Sequence, residues 1–196
     1  MKKITIVGIG NGAQNAIDYL YTKNNANNIN LAIINSDKNV LELAKTENKL
    51  LIHGENESFY GLGCGGNPET GKQYAEYCID EIEQLFLDTD IAVLISSFGG
   101  GCGTGATPVI AELLQNKGIP TIAIVSHPFD WEGELRQNRA LRGLKKLEQI
   151  VEKVIVISND DLSNLPNTKT TLRELFNYSS KKIAKLYETE IEKINW

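Results

Sequence analysis

Six apolar runs punctuate the chain: Lys3 to Val7, Leu31 to Ile34, Leu50 to Ile52, Asp90 to Ser97, Thr121 to Val125 and Val154 to Ile157. They are short and apolar throughout rather than alternating, which predicts strands buried on both faces of a parallel sheet. Between them the apolar spacing turns helical. One helix is predicted to about Tyr21. A second is capped by Asp37 and runs to about Lys45. A third runs from Glu69 to Phe86, with Tyr74, Cys78, Ile82 and Leu85 on one side. A fourth begins its helical pattern at Val109, just after a Pro108 suited to a first turn, and ends near Asn116. A fifth reaches about Val151, and a last begins near Thr170. Strands alternating with helices predict an α/β fold: a doubly wound, mostly parallel sheet with helices on both faces. Ligands bind such sheets beyond the carboxyl ends of the strands.

One of those ends carries Phe98-Gly-Gly-Gly-Cys-Gly-Thr-Gly-Ala-Thr-Pro108. Glycine has no Cβ, so such a turn can take positive φ and bring backbone N–H groups close to a ligand. A helix N-terminus behind it adds free N–H groups and the positive end of a dipole. Together these suit a di- or triphosphate. A flexible turn without ligand is the plain alternative. The G-x-x-x-x-G-K-[ST] pattern is missing, so this is not a P-loop. A second glycine turn, Gly8-Ile-Gly-Asn-Gly12, follows the first strand.

Composition narrows the options. The 196 residues carry a net charge of −5, without a basic stripe, which argues against nucleic acid as a partner. No apolar run reaches membrane-spanning length, and the N-terminal residues read as a first strand rather than a signal peptide. Cys64, Cys78 and Cys102 are widely spaced and read as reduced thiols in a cytoplasmic protein. His53 and His127 have no partners at metal-ligand spacing.

These motifs resemble the nucleotide-binding domain of the FtsZ/tubulin family, with a Rossmann-like sheet. Gly99-Gly-Gly-Cys-Gly-Thr-Gly-Ala106 matches the signature loop, with Cys102 where a Thr is usual. Asn35-Ser-Asp37, Gly61-Leu-Gly-Cys-Gly-Gly-Asn-Pro-Glu69, His127-Pro-Phe-Asp-Trp-Glu-Gly133 with Arg136, and Ser158-Asn-Asp160 are similar to further loops of the family, in its order. The resemblance implies a guanine nucleotide, GTP or GDP, with Mg2+ bridging the phosphates of a triphosphate largely through water. It implies that Gly10, Asn11, Gly12 and Asn15 hold the α- and β-phosphates. Gly65, Gly66 and Asn67 would approach the γ-phosphate, and Gly100, Gly101, Gly103, Thr104 and Gly105 would cradle the chain. Glu132 would accept from the ribose, and Arg136 would lie near ribose or phosphate. Asn159 would contact the nucleoside end. Phe176 would stack on the base, its alternative being a core side chain. Residues 1–169 would form the nucleotide-binding domain, and 170–196 a helix packed on it.

Two departures matter. Ser180 and Lys181 stand where the family carries the Asn-Asp pair that reads guanine. An ammonium has donors only and cannot accept from guanine N1–H or N2–H, whereas Ser180 can accept one bond. The chain also stops at Trp196, before the acidic loop that completes hydrolysis on a neighbouring subunit. The last helix carries one apolar stripe (Leu172, Phe176, Ile183, Leu186, Tyr187, Ile194) opposite a charged face, which suggests a naturally short form over a trimmed one. The expectation is a one-domain protein with little or no hydrolysis alone, partnering or capping an FtsZ-type filament. Two alternatives stand beside it: an interaction module with an empty nucleotide site, and an NAD-dependent oxidoreductase suggested loosely by Gly8-x-Gly10-x-x-Ala13. Cys64 and Cys102 fall in two loops expected to face one phosphate site. There they are either inert small side chains or thiols whose oxidation blocks nucleotide.

Overall fold

The computed structural model describes residues 2–23 and 28–160, together with 181, 182, 185 and 189. Six strands form one parallel sheet: β1 Ile4–Ile9, β2 Ile29–Asn35, β3 Asn48–Leu51, β4 Ile91–Ser97, β5 Thr121–His127 and β6 Lys153–Ser158. Their order is β3-β2-β1-β4-β5-β6. The chain therefore winds one way from β1 to β3, then crosses back past β1 to start the other half. The crevice where the order reverses lies between β1 and β4, both of which end in glycine turns.

Helices cover both faces. Helix α1 (Asn11–Lys23) and the short α2 (Lys38–Glu42) lie on one. There Ala13, Ala16, Ile17 and Leu20 meet Ile6, Val93 and Ile95 of the sheet, and Leu41 meets Ile33. On the other lie α3 (Pro68–Tyr77), α4 (Ile79–Gln84), α5 (Cys102–Asn116) and α6 (Glu134–Leu147). Their core joins Ile82, Phe86, Ile110 and Leu114 to Val7, Ile9, Leu94 and Val125. The alternation of faces along each strand explains why the runs were apolar throughout.

Two helix boundaries differ from the sequence pattern. The predicted helix from Glu69 to Phe86 is two, broken at Cys78 (φ −97°, ψ 28°). The Cys78 thiol sulfur there accepts the His53 N–H at 3.4 Å. The break keeps Cys78 and Ile82 buried on the predicted side. Helix α5 starts at Cys102, not Val109, with Pro108 inside it. Glycine content and proline preference argued for a later start. Packing overrides them: a Cβ at Gly105 would run into the Pro68 carbonyl of α3. A Cβ at Gly103 would come within 2.6 Å of the Ser97 carbonyl. The small residues thus let the first turns of α5 lie against α3 and the sheet. Asp37 caps α2 as predicted, accepting from Asn39 and Val40 N–H, although the helix ends earlier, at Glu42.

Candidate functional site

Parallel strands put all six carboxyl ends on one edge, and that edge holds a hollow of about 650 Å³. Every strand-end connection contributes to it: Gly10, Asn11, Gly12 and Asn15 after β1, Ser36 and Asp37 after β2, and Leu62 to Gly66 after β3. Ser97, Phe98 and Gly100 to Gly103 follow β4, Ser126, Pro128, Glu132 and Arg136 follow β5, and Asn159 follows β6.

Local geometry explains the glycines at two places. Gly10 has φ +80°, and a Cβ there would sit 2.9 Å from the Gly103 backbone N. The turns after β1 and β4 therefore touch backbone to backbone at the crevice, and a side chain would be both strained and in the way. Gly65 and Gly66 (φ +56° and +71°) shape the turn before α3, which passes so close to the N-cap of α5 that a Cβ on Gly101 would lie 2.9 Å from the Asn67 backbone N. Asn35, fully buried, ties two strand ends together. Its Nδ2 donates to Asn11 Oδ1 at 2.8 Å, while its Oδ1 accepts the Ser36 and Asp37 N–H groups.

The electrostatics are those of dipoles rather than cations. Helix α5 starts at the hollow, and its N-cap Gly101 makes no side-chain capping bond. Its first N–H groups have no intrahelical acceptors, and Gly101, Cys102 and Gly103, which begin it, line the hollow. Helix α1 also begins there, at Asn11. Arg136 is the single cation among the described lining residues, and it is paired with Glu132. The other Glu132 oxygen accepts the Phe129 N–H at 2.9 Å. The thiols also line the hollow. Hydrogen bonds from Cys102, and then Ser36, hold the Cys64 thiol below its ordinary value against the effect of burial. The same contact with Cys64, then burial, pushes Cys102 well up.

The structure thus brings together Gly10, Asn11, Gly12, Asn15, Gly65, Gly66, Gly100, Gly101, Gly103, Glu132, Arg136 and Asn159. Three expected residues are not among those lining this hollow. Asn67 caps α3, accepting the Glu69 N–H at 3.1 Å. Thr104 is buried with its Oγ1 accepting the Gly99 N–H at 2.8 Å, which holds the β4 turn from behind. Gly105 faces α3. All three border a second hollow, between α3, α5 and α6. Phe176 and Ser180 lie outside the described residues, as does most of the expected 170–196 helix. Ser97 and Ser126, not among the expected residues, also line the hollow, and their hydroxyls join at 2.7 Å. A small hydroxyl residue ending a buried strand next to the glycine run was the available signal.

The features of the hollow suit a polyphosphate: helix N-termini that open on it, backbone packed without side chains, and a size within the range of small-ligand pockets. A cation would find little protein ligation. Asp37 and Glu132 are the described lining carboxylates, and no group of three or more potential ligands occurs among the described residues. Magnesium would then be held by phosphate oxygens and water.

Comparison with known proteins bears on this arrangement. The chain is 38% identical over 174 residues to "Cell division protein FtsZ" of Aquifex aeolicus (strain VF5), covering 89% of this chain and 47% of that protein. It is 37% identical to the protein of the same name from Rhizobium radiobacter, covering 89% and 29%. It superposes on "FtsZ dimer, empty (M. jannaschii)" with TM-score 0.90 and 33% identity, covering 99% of this chain and 55% of that one. The fold is also shared with "CetZ2 from Haloferax volcanii - GTPgS bound protofilament", at TM-score 0.82 and 21% identity, covering 95% and 57%. The chain spans about half or less of the length of these relatives. The model of the Tubulin/FtsZ family, GTPase domain, matches residues 3–167, and the chain belongs to that family.

Proposed function

We propose that this domain binds a guanine nucleotide, GTP or GDP, at the carboxyl edge of its sheet, and that alone it hydrolyses GTP slowly or not at all. The observation that carries the reading is the backbone contact of the β1 and β4 turns at Gly10 and Gly103, beside the uncapped start of α5. Phosphate would be gripped by N–H groups and helix dipoles, each charge-assisted bond contributing about 1.5–3 kcal/mol. Glu132 and Arg136, after β5, and Asn159, after β6, line the hollow on the side of β4 away from β1, and a ribose would follow the phosphates there. Magnesium, when bound to a triphosphate, would screen its charge.

Slow turnover follows from the same lining. In-line attack needs a positioned water and a base. Of the described carboxylates there, Glu132 is occupied by Arg136 and the Phe129 N–H, and Asp37 caps α2. A neighbouring subunit of an FtsZ-type filament would complete the site, and the domain would act as its partner or cap. The test combines calorimetric titration with GDP and ADP and a turnover assay, alone and with a full-length FtsZ. Micromolar GDP binding, weaker ADP binding and turnover rising only in the mixture are expected. Brisk turnover by the isolated domain, or no binding of either nucleotide, would contradict the proposal.

A further inference from the structure

We propose that Cys64 and Cys102 form a two-cysteine redox site within the hollow, which closes to an intramolecular disulfide and then excludes the terminal phosphate of a nucleotide. The exclusion rests on the nucleotide reading above; the disulfide does not.

Both cysteines are free, both are buried, and both line the same wall of the hollow. Ser36 Oγ lies 3.0 Å from Cys64 Sγ, completing a cluster of three polar side chains. The backbone around them is in close contact: a Cβ on Gly101, the residue before Cys102, would sit 2.6 Å from Cys64 Cβ. Cys102 is the first residue of α5, so a thiolate on Cys64 faces the positive end of that helix. The third cysteine is different. Cys78 belongs to the core between α3 and α4, where its sulfur meets the His53 backbone.

The oxidant is a low-molecular-weight disulfide. The Cys64 thiolate attacks one of its sulfurs, the reagent S–S bond breaks, and one thiolate leaves and takes a proton. Cys102 gives up its proton and attacks the Cys64 sulfur, and the second thiolate leaves as the mixed disulfide breaks. Two protein thiols are oxidised and one reagent disulfide is reduced to two thiols. The new bond brings the sulfurs to about 2.05 Å and so draws the turn onto the helix. Gly63, Gly65 and Gly66 flank Cys64 at positive φ, and this turn must follow. The tie holds residues 63–66 against Gly100 to Gly103, the two walls between which a last phosphate would sit. By linkage, a nucleotide that fills the gap opposes closure by the same factor.

The test uses the full chain, treated with oxidised glutathione, with peptide mapping by mass spectrometry and the equilibrium affinity of a fluorescent GTP analogue. The expected result is a Cys64–Cys102 disulfide with Cys78 still free, and affinity lowered at least tenfold and restored by dithiothreitol. Bound GTP should slow closure. In Cys64→Ala and Cys102→Thr the ratio of oxidised to reduced affinity should fall to about one. Thiols that stay free while those of the urea-unfolded chain oxidise would overturn the proposal, as would a disulfide that leaves affinity unchanged. A reduced chain that binds no GTP would sink the nucleotide reading and the exclusion with it, while the peptide map still decides whether the pair closes.

Discussion

At the scale of single residues, the site depends on atoms that are missing. Gly10 has no Cβ where one would meet the Gly103 backbone, and its φ of +80° disfavours any other residue. Gly10→Ala should weaken GDP binding at least tenfold, about 1.4 kcal/mol, and lower stability by about 1–3 kcal/mol. Calorimetric titration and urea unfolding measure the two effects. Asn35 is the complementary case, a buried side chain whose every polar atom is used. Asn35→Ala leaves the Ser36 and Asp37 N–H groups without that acceptor and should cost about 2–3 kcal/mol in urea unfolding. Thiol chemistry separates the cysteines. Contacts from Cys102 and Ser36 lower Cys64, whereas Cys102 and Cys78 are raised. Iodoacetamide should therefore label Cys64 half-maximally at a lower pH than either of the others, as read by mass spectrometry across a pH series. For the two raised thiols the neutral form is favoured on folding. Their contribution is intact below the ordinary thiol value and is lost as pH rises through the raised ones.

At the scale of elements, the strands were legible because each run is apolar on both faces and bounded by turn residues. Pattern alone placed all six and predicted one parallel sheet. The start of α5 was not legible. Gly103, Thr104 and Gly105 carry weak helix propensity, and their helical state comes from α3 and the strand ends pressing against them. For the same reason the sequence did not show that Thr104 and Gly105 border the hollow between α3, α5 and α6. The break at Cys78 was hidden too, since the apolar side continues through it. Gly105→Ala tests the packing role, because its Cβ would strike the Pro68 carbonyl. It should lower stability by about 1–3 kcal/mol through overpacking, seen as a lower Tm, while reduced GDP affinity out of proportion to that loss would argue for a direct phosphate role.

At the scale of the whole molecule, the winding of the sheet assembles the site. Residues separated by most of the chain, Gly10 and Asn159 among them, line one hollow because all six strands run the same way and end on one edge. That convergence could be anticipated from the loops, whereas the hydroxyl floor of Ser97 and Ser126 needed the packing of β4 beside β5. Phosphate binding here depends on backbone N–H groups at the reversal of strand order holding the phosphate chain. An amide-resolved NMR titration of the full chain with GDP tests it most directly. Saturable shifts are expected at Gly10, Gly12, Gly100, Gly101 and Gly103, far larger than those at Gly118 on the opposite edge. Unchanged amides in those turns at millimolar GDP, or shifts confined to other parts of the chain, would contradict it.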